Sequence, residues 1–251
     1  MLTESDMERY DRQIIIDGLG QEGQERLKKA RVVIAGSGGL GSAVSVYLVA
    51  AGVGTVRLID HDRVELSNLN RQVLHWDKDI GRRKVISASE KLRSLNPGVT
   101  IEAVDETIKE DNVARLVAGF DMIVDAMDNF PVRLMLNKAA LDRNIPFFYG
   151  GVHGFEGRAM TIIPGRTACL KCVYHGSIPG DKIPVVGATP AVIGSIQATE
   201  VIKYIVGIGE LLADTLLVYN GLDMEFTRFK VKRDPDCEHC GKWRDEVKNE
   251  C

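Results

Sequence analysis

The chain has 251 residues, 45% hydrophobic and 27% charged, a balance that can bury a core and excludes a wholly disordered polypeptide. Its 32 Lys and Arg against 35 Asp and Glu leave a net charge of −3, which gives no general nucleic-acid or anionic-membrane signature. At about 150 residues per domain the length fits one large domain; no apolar run approaches the ~18 residues of a membrane span, and the polar start at residues 1–10 is unlike a secretory leader, so a cytoplasmic location is expected.

Strands and helices alternate through the first half. Residues 31–35 read as a short buried strand, followed by a glycine turn at 36–41. A helix is predicted over 40–51, ended by Gly52 and Gly54. The next strand, 56–59, stops at Asp60. Residues 82–95 have helical spacing and stop before Asn96-Pro97-Gly98, a strong turn signal. Then come a strand at 99–104, a helix at 111–118 with Asp111 as its cap, and a strand at 122–125. A helix at 131–143 has Pro131 in its first turn, where proline is tolerated, and a fifth strand follows at 145–149. Such alternation implies crossovers, hence an α/β, Rossmann-like, doubly wound and mainly parallel sheet.

The second half changes character. Residues 158–163, 216–219 and 226–231 read as strands of an antiparallel C-terminal extension, and 173–188, rich in Gly and Pro, as an exposed loop. Thr189-Pro190 opens a helix that Thr189 caps and Gly207 ends, with Val192, Ile193, Ile196, Ile202 and Ile205 on its apolar face. One domain over 1–251 is expected, with a nucleotide-binding half at about 1–150.

Gly36-Ser37-Gly38-Gly39-Leu40-Gly41 fits G-x-G-x-x-G between a strand and a helix. Glycine permits the tight turn and close phosphate approach, and the helix N-terminus offers free N–H groups. Asp60, ending the next strand, is placed for ribose hydroxyls. A purely structural turn is the rival. The motif alone favours a dinucleotide, but the long polar stretch 60–72 that follows carries Arg71, which with Lys84 is a cation able to reach a triphosphate, and Asp128 follows the fourth strand at the same sheet edge. Cations and a carboxylate beside phosphates suit Mg-ATP chemistry better than hydride transfer. Each has a plain rival: Arg71 and Lys84 as solvated charges, Asp128 as the cap of the helix near Pro131.

Five cysteines are few for a disulfide scaffold. Cys169 and Cys172 form one C-x-x-C, and Cys237 and Cys240 another. Four thiolates suffice for one tetrahedral Zn2+, structural because no coordination position remains for water. Free thiols or a redox pair are the rivals. His239 lies inside the second pair as a bystander, no other histidine has a spacing that compels a metal, and Cys251 reads as a tail residue.

These motifs resemble, in order and over nearly the whole chain, the ubiquitin-activating-enzyme-like superfamily in its MoeB/ThiF/HesA branch. The match runs from Arg9-Tyr10-Asp11-Arg12-Gln13 through residues 36–42, 58–72, 81–84, 125–129 and 194–203 to Cys237-x-x-Cys240. The resemblance implies a homodimer that uses ATP and Mg2+ to adenylate the C-terminal glycine of a ubiquitin-like sulfur carrier ending in Gly-Gly, in molybdopterin, thiamine or related sulfur metabolism. It implies that Asp60 holds the ribose, Arg71 and Lys84 the phosphates, and Asp128 the Mg2+, with Asn68 and Gln72 as polar support. Arg12 would reach the γ-phosphate of the neighbouring protomer. The half at about 151–251 would bind the carrier and zinc. One departure stands out: relatives often carry a cysteine before the helix holding Gly194, and residues 176–188 have none. Adenylation is therefore expected without a thioester or persulfide step on that loop, and with no rhodanese-like extension the sulfur would come from another donor. The alternatives are an NAD-dependent oxidoreductase, a non-catalytic zinc-stabilised docking subunit and a tRNA-modifying relative; nucleic acid is the less expected partner.

Overall fold

The computed structural model describes residues 1–174 and 184–241. Three helices open the chain: α1 (Glu4–Arg9), α2 (Asp11–Ile14) and α3 (Gly20–Lys29). Then follow β1 (Arg31–Ala35), α4 (Gly39–Ala50), β2 (Thr55–Ile59), α5 (Lys84–Leu95), β3 (Thr100–Val104), α6 (Val113–Leu116), β4 (Met122–Asp125) and α7 (Phe130–Arg143). The rest comprises β5 (Phe147–His153), β6 (Glu156–Ile162), α8 (Leu170–Val173), α9 (Ala188–Val206), β7 (Thr215–Asn220) and β8 (Glu225–Lys230). Among the described residues, eight strands join one sheet in the order β3-β2-β1-β4-β5-β6-β7-β8. The first five are parallel, and β6, β7 and β8 add antiparallel. The expected doubly wound sheet with its antiparallel extension is therefore present.

Alternation along β1 divides the core. Val32 and Ile34 face one buried cluster with residues of α4, α5 and α9, whereas Val33 and Ala35 face the other with α6, α7 and α8. Both faces of a parallel strand must be covered, which is why Arg31–Ala35 reads as a continuous apolar run.

Two predicted caps move, and the rival cap role of Asp128 falls to its neighbour. Helix α6 is shorter than expected and its N-cap is Asn112, not Asp111. Helix α9 starts from Gly187; Thr189 lies inside the first turn, where its Oγ1 donates to the Gly154 carbonyl at 3.0 Å. Helix α7 is capped by Asn129, whose Oδ1 accepts from Val132 N at 3.1 Å. Capping there does not involve Asp128. Gly207 does end α9, in the left-handed conformation glycine favours.

The buried face of α9 also differs from the expected one. Of the five predicted apolar residues only Ile193 is fully buried; Val192, Ile196, Ile202 and Ile205 are half-buried against the core. The face turned inward carries Gly194, Gln197, Ala198, Glu200 and Val201. A Cβ on Gly194 would lie 2.7 Å from Ala43 Cβ, so glycine sets the approach of α9 to α4. Gln197 and Glu200 are buried because each is bonded: Gln197 Nε2 donates to the Asp125 and Phe148 carbonyls at 2.7 and 3.0 Å, and Glu200 Oε2 accepts from Thr161 Oγ1 and Leu212 N, both at 2.6 Å. Polar satisfaction of this kind is invisible to hydrophobic periodicity.

Candidate active site

The strand order reverses between β1 and β4. Open α/β sheets bind ligands beyond the carboxyl ends of the strands at such a switch point. The glycine loop leaves β1 there and enters α4. Gly36 has φ +102, and a Cβ on it would lie 2.5 Å from the Ala126 carbonyl oxygen; one on Gly41 would overlap the Gly36 carbonyl oxygen. These two glycines are demanded by the turn itself. Gly41→Ala should cost about 1–3 kcal/mol by overpacking, measured as a lowered thermal unfolding midpoint. Gly38 is different: its φ is −81, and the nearest atom to an added Cβ is Gln72 Nε2 at 3.6 Å. The fold does not require glycine at 38, which leaves backbone open to a ligand. Gly39 is crowded instead by Pro190 of α9, at 3.0 Å.

Asp60, past the end of β2, is joined directly to this loop. Its Oδ2 accepts from Ser37 N and its Oδ1 from Asp62 N, both at 2.8 Å. Lys84, the first residue of α5, is buried and donates through Nζ to Asp62 Oδ2 at 2.8 Å. One hydrogen-bonded run thus links Lys84, Asp62, Asp60 and Ser37. Each Asp60 oxygen keeps a second lone pair for a ribose hydroxyl.

The 66–72 segment lies against the same loop. The Arg71 carbonyl oxygen would be 3.4 Å from a Cβ on Gly39. Its guanidinium Nη1 donates to the Ser67 carbonyl at 2.9 Å and to Asn70 Oδ1 at 3.0 Å. Asn68 Oδ1 is committed to a local turn, accepting from Glu65 N at 3.1 Å. Gln72 is buried, and its Oε1 has no hydrogen-bond partner among the described residues; nor has Ser37 Oγ in the glycine loop. Orphaned buried oxygens are uncommon in folded chains. Two of them beside a Gly-rich loop fit a polar ligand that would bond them.

Asp128 is exposed in the turn after β4. Underneath, Arg133 donates through Nε to the Met127 carbonyl at 3.1 Å and faces Asp125 at 3.7 Å. Burial pushes the Asp125 carboxyl up to about 6, with Arg133 opposing. Ala126 touches the glycine loop at Gly36 and Gly41, so the turn bearing Asp128 begins at the loop.

Arg12 is not brought to this crevice in its own chain. Its neighbours are fastened to the far end of α4: Tyr10 packs against Gly52 and takes a hydrogen bond from Asn96 Nδ2 at 2.7 Å, and Gln13 Nε2 donates to the Ala51 carbonyl at 3.2 Å. The 12 residues of α4 separate that end from the glycine loop by about 18 Å.

The four cysteines converge. Cys169 and Cys172 open α8, and Cys237 and Cys240 follow β8; all four sulfurs lie within 4.8 Å of one another. The recorded separations are 3.9 Å for Cys169–Cys172, 3.7 Å for Cys169–Cys237 and 3.4 Å for Cys172–Cys240. A disulfide needs about 2.05 Å. A tetrahedron of thiolates at ~2.3 Å from one ion has edges of about 3.8 Å, so this donor set fits a metal. Hydrogen bonding by the Cys240 thiol lowers Cys169 to about 5, while burial raises Cys237. His239 stays outside the set, its Nδ1 accepting from Asn137 Nδ2 at 3.1 Å.

The ThiF family model matches residues 10–239. The chain belongs to the ThiF family. The ThiF-family relatives include the sulfur carrier protein adenylyltransferase of Thermus thermophilus, 41% identical and covering 95% of this chain and 92% of that protein. Another is the molybdopterin-synthase adenylyltransferase of Escherichia coli, 38% identical, covering 96% of this chain and 99% of that one. A solved structure of Escherichia coli MccB with MccA-N7isoASN superposes with a TM-score of 0.85 at 27% identity, over 95% of this chain and 76% of that one. No helix among the described residues is long and apolar enough to cross a membrane.

Sequence reasoning on this ThiF-family chain passed over Asp62, Arg133 and His75. Asp62 lies inside the quoted polar stretch, but only the fold reveals Lys84 as its partner. The buried role of Arg133 has no sequence signal, since an arginine on a helix reads as a solvated charge.

Proposed function

We propose that this crevice binds Mg-ATP and joins its adenylyl group to the C-terminal glycine carboxylate of a ubiquitin-like sulfur carrier ending in Gly-Gly, with release of pyrophosphate. The chain is an adenylyltransferase of the MoeB/ThiF type, as its relatives are named. The observation that carries the reading is the run from Lys84 through Asp62 and Asp60 to Ser37. It holds a nearly buried ammonium on the same scaffold as a phosphate-binding loop. Hydride transfer by an NAD-dependent oxidoreductase gives Lys84, Arg71 and Asp128 no task, and a non-catalytic docking subunit has no need to bury a cation there. A tRNA-modifying role is not favoured by the named relatives.

The carboxylate nucleophile and the triphosphate repel each other, so their encounter requires fixed positive charge. In this reading Gly36, Gly38, Gly39 and Gly41 form the phosphate turn and Asp60 holds the ribose. Arg71 and Lys84 offset charge developing on the α-phosphate as the carboxylate oxygen attacks and pyrophosphate departs. Gln72 and Asn68 support the phosphates, and Asp128 holds Mg2+, which neutralises phosphate charge. Arg12 serves a second copy: exposed Ile15 and Ile16 beside it supply apolar surface for a homodimer contact. Zn2+ sits among Cys169, Cys172, Cys237 and Cys240 and cross-links two distant segments. The loop lacking a cysteine falls largely on residues 175–183, outside the described residues, as does Cys251.

The test is exchange of radiolabelled pyrophosphate into ATP, with candidate ubiquitin-fold proteins ending in Gly-Gly. Exchange that requires an intact Gly-Gly tail is expected. ATP binding without exchange on any such tail would return the choice to the docking or tRNA readings.

A further inference from the structure

A buried polar run lies against the glycine loop and touches no residue assigned to the carrier or to metal. His75 is 3% exposed. Its Nδ1 is 2.9 Å from Ser87 Oγ, and its Nε2 is 3.0 Å from the Ser37 carbonyl oxygen. Ser87 Oγ also lies 2.8 Å from Lys91 Nζ, and Lys91 pairs with fully buried Asp79. Against burial, hydrogen bonding from Lys91 holds Asp79 down to about 2.

The ring's partners fix the tautomer. A carbonyl oxygen can only accept, so the Ser37 carbonyl requires the ring proton on Nε2, and Nδ1 is left as an acceptor facing the Ser87 hydroxyl, which itself accepts from Lys91 Nζ. The imidazole proton then resides on Nε2, where it donates to the Ser37 carbonyl. Burial keeps the ring below its ordinary pKa, with Lys91 and Lys84 of α5 also opposing a second proton and Asp60 favouring it.

Ser37 is gripped from both ends, since its N–H already donates to Asp60 Oδ2 at 2.8 Å. In a planar trans peptide the carbonyl and the following N–H point in opposite directions. Fixing the Ser37 carbonyl on His75 therefore aims the Gly38 N–H away from His75. Gly38 is the N-cap of α4, and free N–H groups at a helix start are anion donors.

We propose that His75 is a positioning residue: its Nε2–H, oriented by Ser87 and Lys91, locks the Ser37–Gly38 peptide so that the Gly38 N–H is presented to the phosphates of the bound nucleotide. The proposal rests on the nucleotide reading of the crevice. Because the phosphates are held in ground state and transition state alike, the loss of this lock raises KM for ATP and spares kcat.

The test measures binding of a non-hydrolysable ATP analogue with Mg2+ by calorimetry, and the kinetics of carrier adenylation, in the full chain. His75→Ala should weaken analogue binding and raise KM about tenfold, the loss of one hydrogen bond, with kcat nearly unchanged. His75→Gln, whose Nε2 has a similar reach, should recover binding to within about threefold of wild type. Ser87→Ala, which removes the hydroxyl facing Nδ1 and loosens the ring, should fall between them. Nitrogen-15 NMR of the imidazole should report the Nε2-protonated tautomer. Analogue binding unchanged in His75→Ala, or lost equally in His75→Gln, overturns the proposal. Should His75→Ala fail to fold, an Nδ1-protonated ring in the wild type, or unaltered binding in Ser87→Ala, overturns it as well. A wild-type chain that binds no nucleotide removes the reading beneath it, whereas normal wild-type binding with indifferent His75 variants removes this inference alone.

Discussion

Lys84→Ala is expected to lower carrier-dependent pyrophosphate exchange by roughly 10²–10³-fold, the size of effect found when one preorganised donor to a developing charge is removed. Lys84 is buried, and a buried ammonium is costly unless paired. Its bond to Asp62 offsets part of that cost and sets the direction of Nζ. Asp62 is half-exposed, so the pair opens to solvent on its Asp62 side. A purely structural ion pair predicts a different result. Lys84→Ala would then lower the unfolding midpoint, and kcat would survive in the fraction that folds. Lys84→Arg separates the two further: it keeps the charge but not the compact ammonium geometry, so it should fold well and recover only part of the rate. Arg71→Ala should lose a similar factor, with more of the loss in kcat than in stability, since among the described residues its guanidinium bonds to Ser67 and Asn70 of its own segment. Quench-flow measurement of adenylate formation with carrier in excess distinguishes these cases.

The position of the glycine loop and of Asp60 beside it was legible because the signal is local: a strand, a turn and a helix that keep their order, with a carboxylate just past the next strand. Residues 31–35 and 122–125 match β1 and β4 residue for residue. Helices α1, α2 and α3 were not read at all. Only Gly23, Gln24 and Leu27 of α3 are buried, and α1 and α2 bury nothing, so no apolar stripe announces them. What holds them is tertiary, such as Gln24 Nε2 donating to the Ala51 carbonyl at 2.9 Å. His75 carried no signal for the same reason: its partners, Ser37 and Ser87, are far from it in sequence and are assembled by the fold. Cap chemistry was legible in kind, but in α7 the cap is Asn129 rather than Asp128. That one-residue difference leaves the Asp128 carboxylate out of the cap.

In the proposed zinc site, removal of the ion from the cysteine cluster is expected to cost stability in proportion to the chain it would cross-link. Cys172 and Cys237 bracket α9, β7 and β8, and the sulfurs sit at tetrahedral rather than disulfide spacing. Treated as a single cross-link closing residues 173–236, the constraint on the unfolded chain contributes about 4 kcal/mol. For a chain of this size that corresponds to roughly 8–16 °C in the unfolding midpoint. Cys172→Ser and Cys237→Ser should each lose the ion and lower the midpoint by this amount, and a strong chelator should reproduce the effect in the unsubstituted chain. Cys251→Ser should leave one zinc per chain by elemental analysis, because four thiolates already fill the tetrahedron. In the proposed four-thiolate site the ion would be a strut: with no open coordination position it would polarise no substrate. Chelation at a temperature where the chain stays folded should therefore leave kcat for adenylation close to its starting value. A proportional fall in kcat and zinc content under those conditions would instead place the ion in the chemistry, and the four-thiolate assignment would have to give way.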